Sequence, residues 1–170
     1  MIAPAYARTM AAYNSEMNRR LYESAARLTD QARREDRGAF WASVHGTLCH
    51  LVWGDTMWMS RFDGGARPAV PLKESARMIA AFPALAEARI ALDARIEDWA
   101  GRIDQDWLDQ DLVWFSGATQ REQRRSRALL VAHFFNHQTH HRGQAHALIT
   151  AAGETTDDTD LMLIIAAPRC

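Results

Sequence analysis

Apolar side chains recur at gaps of three and four between residues 5 and 29, at Tyr6, Met10, Tyr13, Met17, Leu21, Ala25 and Leu28. That spacing keeps one face of an α-helix apolar and predicts a first amphipathic helix. Thr29-Asp30 and the charged run 31–37 then read as a polar connection. A second helix is expected from Ala39 to about Arg61, opened by Gly38 and ended by Gly64-Gly65. It is unusually aromatic, with Phe40, Trp41, Trp53, Trp58 and Phe62. Residues 64–80 hold two prolines and two glycines, which is long for a tight helix hairpin, and the link is expected to cross the end of a bundle. Pro83 marks the first turn of a third helix, whose stripe runs Leu85, Ala88, Leu92, Ile96, Trp99, Ile103.

A second long link, Asp104–Gln123, contains DLVWFSGATQ, which alternates weakly and predicts a short extended piece around Gly117. A fourth helix follows from about Glu122 or Arg124 to Ala152, stopped by Gly153. A short closing helix is expected from Asp157, with Thr156 or Asp157 as its cap. Four long amphipathic helices and no convincing sheet predict an all-α fold, a helix bundle. The length, 170 residues, suits one domain over residues 1–170 with a core of its own. No internal repeat or low-complexity segment interrupts it.

The fourth helix changes the picture from architecture to chemistry. Five of the seven histidines fall in His133–Thr150, HFFNHQTHHRGQAHALIT. At about 100° per residue, His137 and His141 stand one turn apart, His133 and His140 flank them, and His146 points to the opposite face. An i, i+4 histidine pair can close on one metal ion. A third ligand has to come from elsewhere. His45 and His50 on the second helix lie about 140° apart and cannot share an ion. Only His50 lies on an apolar face, with Trp53, Gly54 and Met57. His50, His137 and His141 therefore form the candidate metal set, with open positions for water or substrate as in catalytic sites. A single histidine on an apolar face is ordinarily a hydrogen-bonded core residue. Four on one stripe are different, since each buried imidazole without a partner costs about 1–3 kcal/mol and a metal removes that cost. The HQTHH segment is not a zincin motif, because Gln138 stands where the catalytic Glu belongs.

Charge and composition narrow the classes. Lys plus Arg number 20 against 21 acidic residues, so no global field points to nucleic acid or to a membrane surface. The N-terminus has no apolar h-region and the longest apolar run is Leu161–Ala167, so neither a secretion signal nor a transmembrane span is expected, and the cytoplasm is the default. Cys49 and Cys170 do not make a disulfide framework. Gln144, one turn beyond His141, suits a hydrogen bond to a bound water or to an imidazole, or a polar cap on the core. Trp53 and Met57 are expected to line the pocket. Arg142 faces away from the ligand stripe and reads as structural. The basic run Arg121–Arg127 lacks interleaved aromatics and reads as a solvated face.

The HxxxHRGQ core of the fourth helix resembles the signature of the DinB-like family, the damage-inducible metalloproteins rather than the polymerase sharing that name. AAYNSEMNRRLY resembles the family's first helix, DRGAFWASVHGTLCHLVWGDTMWMSRF its second and GETTDDTDL its tail. The family's one His on helix two and H-x3-H pair on the last long helix fall on His50, His137 and His141. The resemblance implies a four-helix bundle in up-down-down-up order, often dimeric, holding a divalent cation such as zinc or nickel. Cys49 stands where the family pattern has a small amide, about 100° round the helix from His50, and reads as core packing. Asp55 and Arg61 resemble family positions, and an ion pair at the helix surface or between helices is expected for both.

Three functional classes follow. The first is a metal-dependent enzyme, of the thiol-dependent transferase type that the resemblance implies, using a low-molecular-weight thiol on a small electrophile. A metal-dependent hydrolase is its competitor. The second is a non-catalytic metal-binding stress-response protein. The third is a bundle whose histidines pack a homodimer interface. No residue in the sequence identifies a catalytic base, so deprotonation is expected to fall to the metal.

Overall fold

The computed structural model describes residues 1–117 and 119–165. Cys170 and the end of the apolar run Leu161–Ala167 lie outside the described residues. Two-thirds of the chain is helical, and a two-stranded antiparallel sheet is added to it. Four helices are long: α1 (Pro4–Arg27), α3 (Val44–Phe62), α4 (Phe82–Arg102) and α6 (Arg127–Ala151). The short ones are α2 (Asp30–Arg34), α5 (Gln105–Leu108) and α7 (Leu161–Ile164). No helix among the described residues is long and apolar enough to cross a membrane.

Side-chain pairs give the run of each helix. Tyr6 meets Phe135 and Arg27 meets Glu154, so α1 and α6 run the same way. Tyr22 stacks on Phe82 while Asn18 reaches Asp93, so α4 runs against α1. Asp55 pairs with Arg89 and Phe62 stacks on Trp99, which sets α3 alongside α4 in the same direction. His50 faces His141 and Trp58 faces His133, so α3 and α6 are antiparallel. Leu48, Leu51, Met59, Leu85, Ile96, Phe134 and Phe135 form the centre of the core. The α1 seam is not wholly apolar. Asn14 and Asn18 are buried on it, and their amides turn to the Asp93 carboxylate.

Three boundaries differ from the sequence reading, each for a local reason. The second long helix begins at Val44 rather than Ala39, because the Ser43 hydroxyl caps it by accepting from Gly46 N at 3.1 Å. Gly38 and Ala42 just before it have φ of 74° and 63°, a left-handed backbone that no helix continues through. Phe40 and Trp41 consequently lie on a loop. The last long helix begins at Arg127 rather than near Glu122 or Arg124. Residues Arg121–Ser126 instead form strand β2, paired with β1 (Asp111–Ser116) in the register Val113↔Arg124 and Phe115↔Glu122. Alternation in β1 turns Leu112, Trp114 and Ser116 toward the body and leaves Val113 and Phe115 outside. The basic run is thus mostly a solvated strand, as its composition suggested, though not a helical one.

The closing helix starts at Leu161 rather than Asp157. Residues 154–159 are tied without helix to α1 and α6: Arg27 donates to Thr155 O, Tyr13 to Thr159 O, and Thr156 pairs with the His146 ring. The link 64–80 does not cross an end. It runs back along α3, with Val70 O accepting from Trp53 Nε1 and Ile79 O bonding the His45 ring. Two helices pointing the same way require that return, and a 3-10 turn at Leu72–Arg77 forms within it.

Candidate metal site

The i, i+4 spacing on α6 and the apolar face of α3 bring His50, His137 and His141 together. One ring nitrogen from each lies within 4.8 Å of the others. Ring centroids are 4.6 Å apart for His50 and His141, 4.5 Å for His137 and His141, and 5.5 Å for His50 and His137. No other trio of histidine, cysteine or carboxylate groups converges in this way among the described residues.

Two of the rings are held by hydrogen bonds and the third by the room its neighbours leave. His50 Nδ1 shares a hydrogen bond of 3.0 Å with Ser75 Oγ, which the returning link delivers fully buried. Trp41 stacks on the His50 ring with centroids 3.9 Å apart. Gly46 permits this, because a Cβ there would collide with the Trp41 carbonyl oxygen. His141 Nδ1 donates to Gln144 Oε1 at 2.7 Å, which leaves its Nε2 lone pair for a metal. Gln144 thus orders an imidazole, one of the roles the sequence allowed it. His137 occupies the room left by Gly54, whose Cβ would lie 2.9 Å from His137 Cε1.

Electrostatics favour neutral rings. Burial, then the neighbouring His141 and His137, pushes His50 down to about 3. Burial and the adjacent histidines push His137 down to about 4, and burial lowers His141 as well. His137 Nδ1 is buried without a hydrogen-bond partner among the described residues. Neutral imidazoles with free lone pairs are what a borderline divalent cation needs, so the residues present fit such an ion.

The three rings open into a cavity of about 610 Å³. Trp53 and Met57 line it, as expected from their place on the His50 face. So do residues that periodicity missed: Phe40 and Trp41 from the loop, Leu72 from the link, and Trp114 and Ser116 from β1. None of these shares a helix with a histidine. The only signal available for them was the surplus of aromatics at the start of the second helix and the weak alternation of DLVWFS. Among the described residues no aspartate or glutamate lines the cavity.

The remaining singled-out residues fall elsewhere. His133 and His140 are exposed at the cavity edge and outside the converging trio; His140 Nε2 accepts from the Gln144 amide at 3.2 Å. His146 faces a separate hollow of about 290 Å³ on the other side of α6. Cys49 is buried core beside Ile79 O, not a member of the trio. Asp55 makes the expected interhelix pair, with Arg89 Nη1 donating to its Oδ2 at 2.6 Å. Arg61 pairs with no carboxylate among the described residues; its guanidinium lies over the Trp58 ring at 4.5 Å and the Trp114 ring at 5.5 Å. Arg142 is buried, with Nη2 donating to Thr139 Oγ1 and its guanidinium 5.6 Å above the Tyr13 ring, a structural placement.

No curated protein matches the chain. The model of the DinB family matches residues 1–168, nearly the whole chain, and together with the converging histidines this makes the protein a member of the DinB family.

Proposed function

We propose that His50, His137 and His141 hold one divalent cation, zinc or nickel, and that the protein is a metal-dependent enzyme of the thiol-dependent transferase type. The observation that carries this is the convergence of three ring nitrogens within 4.8 Å at the wall of an aromatic cavity. When bound, the cation keeps its full charge among three neutral ligands and lowers the pKa of a thiol or water that reaches it.

The chain's own residues supply orientation and shelter. Ser75 and Gln144 fix the rings of His50 and His141, and Trp41, Trp53 and Met57 give the space before them an apolar wall. Among the described residues no carboxylate lines the cavity, so a general base for hydrolysis would have to be His133 or His140 at its edge. A free thiol, starting near pKa 8.5 against about 15.7 for water, needs less help to ionise. The acceptor is then a small electrophile of a size that about 610 Å³ admits.

For the architecture we infer a four-helix bundle in up-down-down-up order, supported by the parallel pairs α1–α6 and α3–α4 and by the returning link. A homodimer is supported by family resemblance and by Ile90, 71% exposed beside an apolar groove between α1 and α4. A reducing compartment such as the cytoplasm suits the free thiol of Cys49.

Metal analysis of protein purified without an affinity tag should find about one divalent ion per chain. His50→Ala should abolish it and His140→Ala should not; equal loss from both would mean the ligands are misassigned. Cobalt-substituted protein titrated with low-molecular-weight thiols should develop a sulfur-to-metal charge-transfer band. Absence of that band at millimolar thiol would leave hydrolysis or plain metal binding. The mass of the same preparation in solution decides between dimer and monomer.

A further inference from the structure

The histidine cavity extends well beyond the histidines. Along α3, His50 meets His141, Gly54 meets His137, Trp58 meets His133, and Arg61 lies one turn further on. Eleven residues of helix put Arg61 about 16 Å from His50 along the axis. The guanidinium is half-buried and lies over two indole rings. It has no ion pair and no hydrogen bond among the described residues. Burial first, and then the positive charge of Arg67, push its pKa down.

We propose that the Arg61 end of the cavity is a carboxylate-binding subsite, and that the small molecule handled at the histidine cluster carries a carboxylate on a flat apolar frame. This rests on the reading of the cluster as the reacting centre. Among the described residues the cavity lining holds one permanent cation, five histidines and no acid, so the one fixed charge on its wall is positive and draws anions while repelling ammonium groups. A guanidinium presents a planar fork of donors that matches the two oxygens of one carboxylate. Trp58 and Trp114 hold the guanidinium in place, and Phe40, Trp41 and Trp53 give the same cavity aromatic walls for an aromatic or unsaturated frame. A single guanidinium neutralises the single charge of a carboxylate, whereas a phosphate monoester near −2 would keep excess charge beside apolar walls, which favours the carboxylate. Arg61 selects the ligand and positions it; it takes no part in bond making.

The test uses three probes of one shape, benzoate, benzamide and phenylphosphonate, titrated at pH 7.5 while tryptophan fluorescence is followed. Zinc-loaded and chelator-treated full-length protein are compared, with retained helix content checked by circular dichroism. Benzoate should bind at least tenfold more tightly than benzamide in both forms. Arg61→Gln should erase that preference while leaving zinc stoichiometry unchanged, and Arg61→Lys should keep only part of it. Benzoate failing to outbind benzamide in the wild type, or a preference surviving Arg61→Gln, would overturn the subsite. Phenylphosphonate outbinding benzoate would overturn the carboxylate assignment. Because the chelator-treated arm contains no metal, it reads the subsite even if zinc binding itself fails, so the two ideas fall separately.

Discussion

At the scale of single residues, the candidate site depends on small groups placed beside large ones. Gly54 makes room for the His137 ring, and Gly46 lets the Trp41 backbone approach so that its indole covers His50. Ser75 has no metal-binding chemistry of its own, but it is the partner of His50 Nδ1 and is fully buried. Hydrogen bonds to the far nitrogen of a ligating imidazole fix its orientation, and losing one typically costs 10–100-fold in metal affinity. Ser75→Ala should therefore weaken zinc binding by about tenfold or more, measured against a competing chelator, with little change in helix content. Unchanged affinity would mean that the Trp41 stack alone holds the ring.

At the scale of elements, a helix start decides where two aromatic side chains go. Ser43 caps α3 through Gly46 N, and the left-handed Ala42 before it turns the chain so that Trp41 folds back over the helix. Were the helix to continue back to Ala39, as its sequence permits, Trp41 would project from the helix instead. Removing an N-cap side chain costs about 1 kcal/mol. Ser43→Ala should lower stability to urea by roughly that amount, and should loosen the Trp41–His50 stack, seen as a change in tryptophan emission. A variant of unaltered stability and emission would show that the loop, not the cap, positions Trp41. The β1–β2 hairpin acts in the same way from the other side, since its inward residues Trp114 and Ser116 complete the cavity wall.

At the scale of the whole molecule, a buried polar network crosses the core and ties three helices together. Arg89 of α4 is 2% exposed and lies between Asp55 of α3, at 2.6 Å, and Asp93, at 2.8 Å. Asn14 and Asn18 of α1 reach the Asp93 carboxylate, and Tyr22 and Arg142 are the other charged or titratable groups near it. One guanidinium between two buried carboxylates does not fully offset their desolvation. Burial pushes Asp93 up to about 6 against the opposing pull of Arg89, and Asp55 is raised by burial too. An unfolded aspartate titrates near 3.9. The native state thus holds the Asp93 proton over a window in which the unfolded chain releases it. The stability this contributes is fully present below about pH 3.9 and is lost as pH rises through about 6. The stability difference between wild type and Asp93→Asn, from urea midpoints, should accordingly shrink from pH 4 to pH 7. A difference that grows with pH would mean that Asp93 is ionised throughout and held by Arg89.

What the sequence determined by itself was whatever depends on spacing along one helix. The gaps of three and four located all four long helices, and the 3.6-residue turn put His137 beside His141 and turned His146 away. It joined His50 to them through the face shared with Trp53, Gly54 and Met57, but it did not show that His45 is buried too, on the face of Leu48, Cys49 and Val52, where its ring bonds the link backbone. Periodicity does not register what one segment does to another. The helix starts at Val44 and Arg127 were set by a cap, by left-handed residues and by strand pairing. The link's path along α3, and hence the Ser75–His50 bond, follows from α3 and α4 pointing the same way. The cavity was likewise outside its reach, since its walls come from a loop, a link and a hairpin that are separated in the chain by tens of residues. Arg61 shows the difference most directly. On its own helix it reads as a surface cation that ought to find a carboxylate, and only the packing of Trp58 and Trp114 around it leaves its charge facing the cavity without a partner among the described residues.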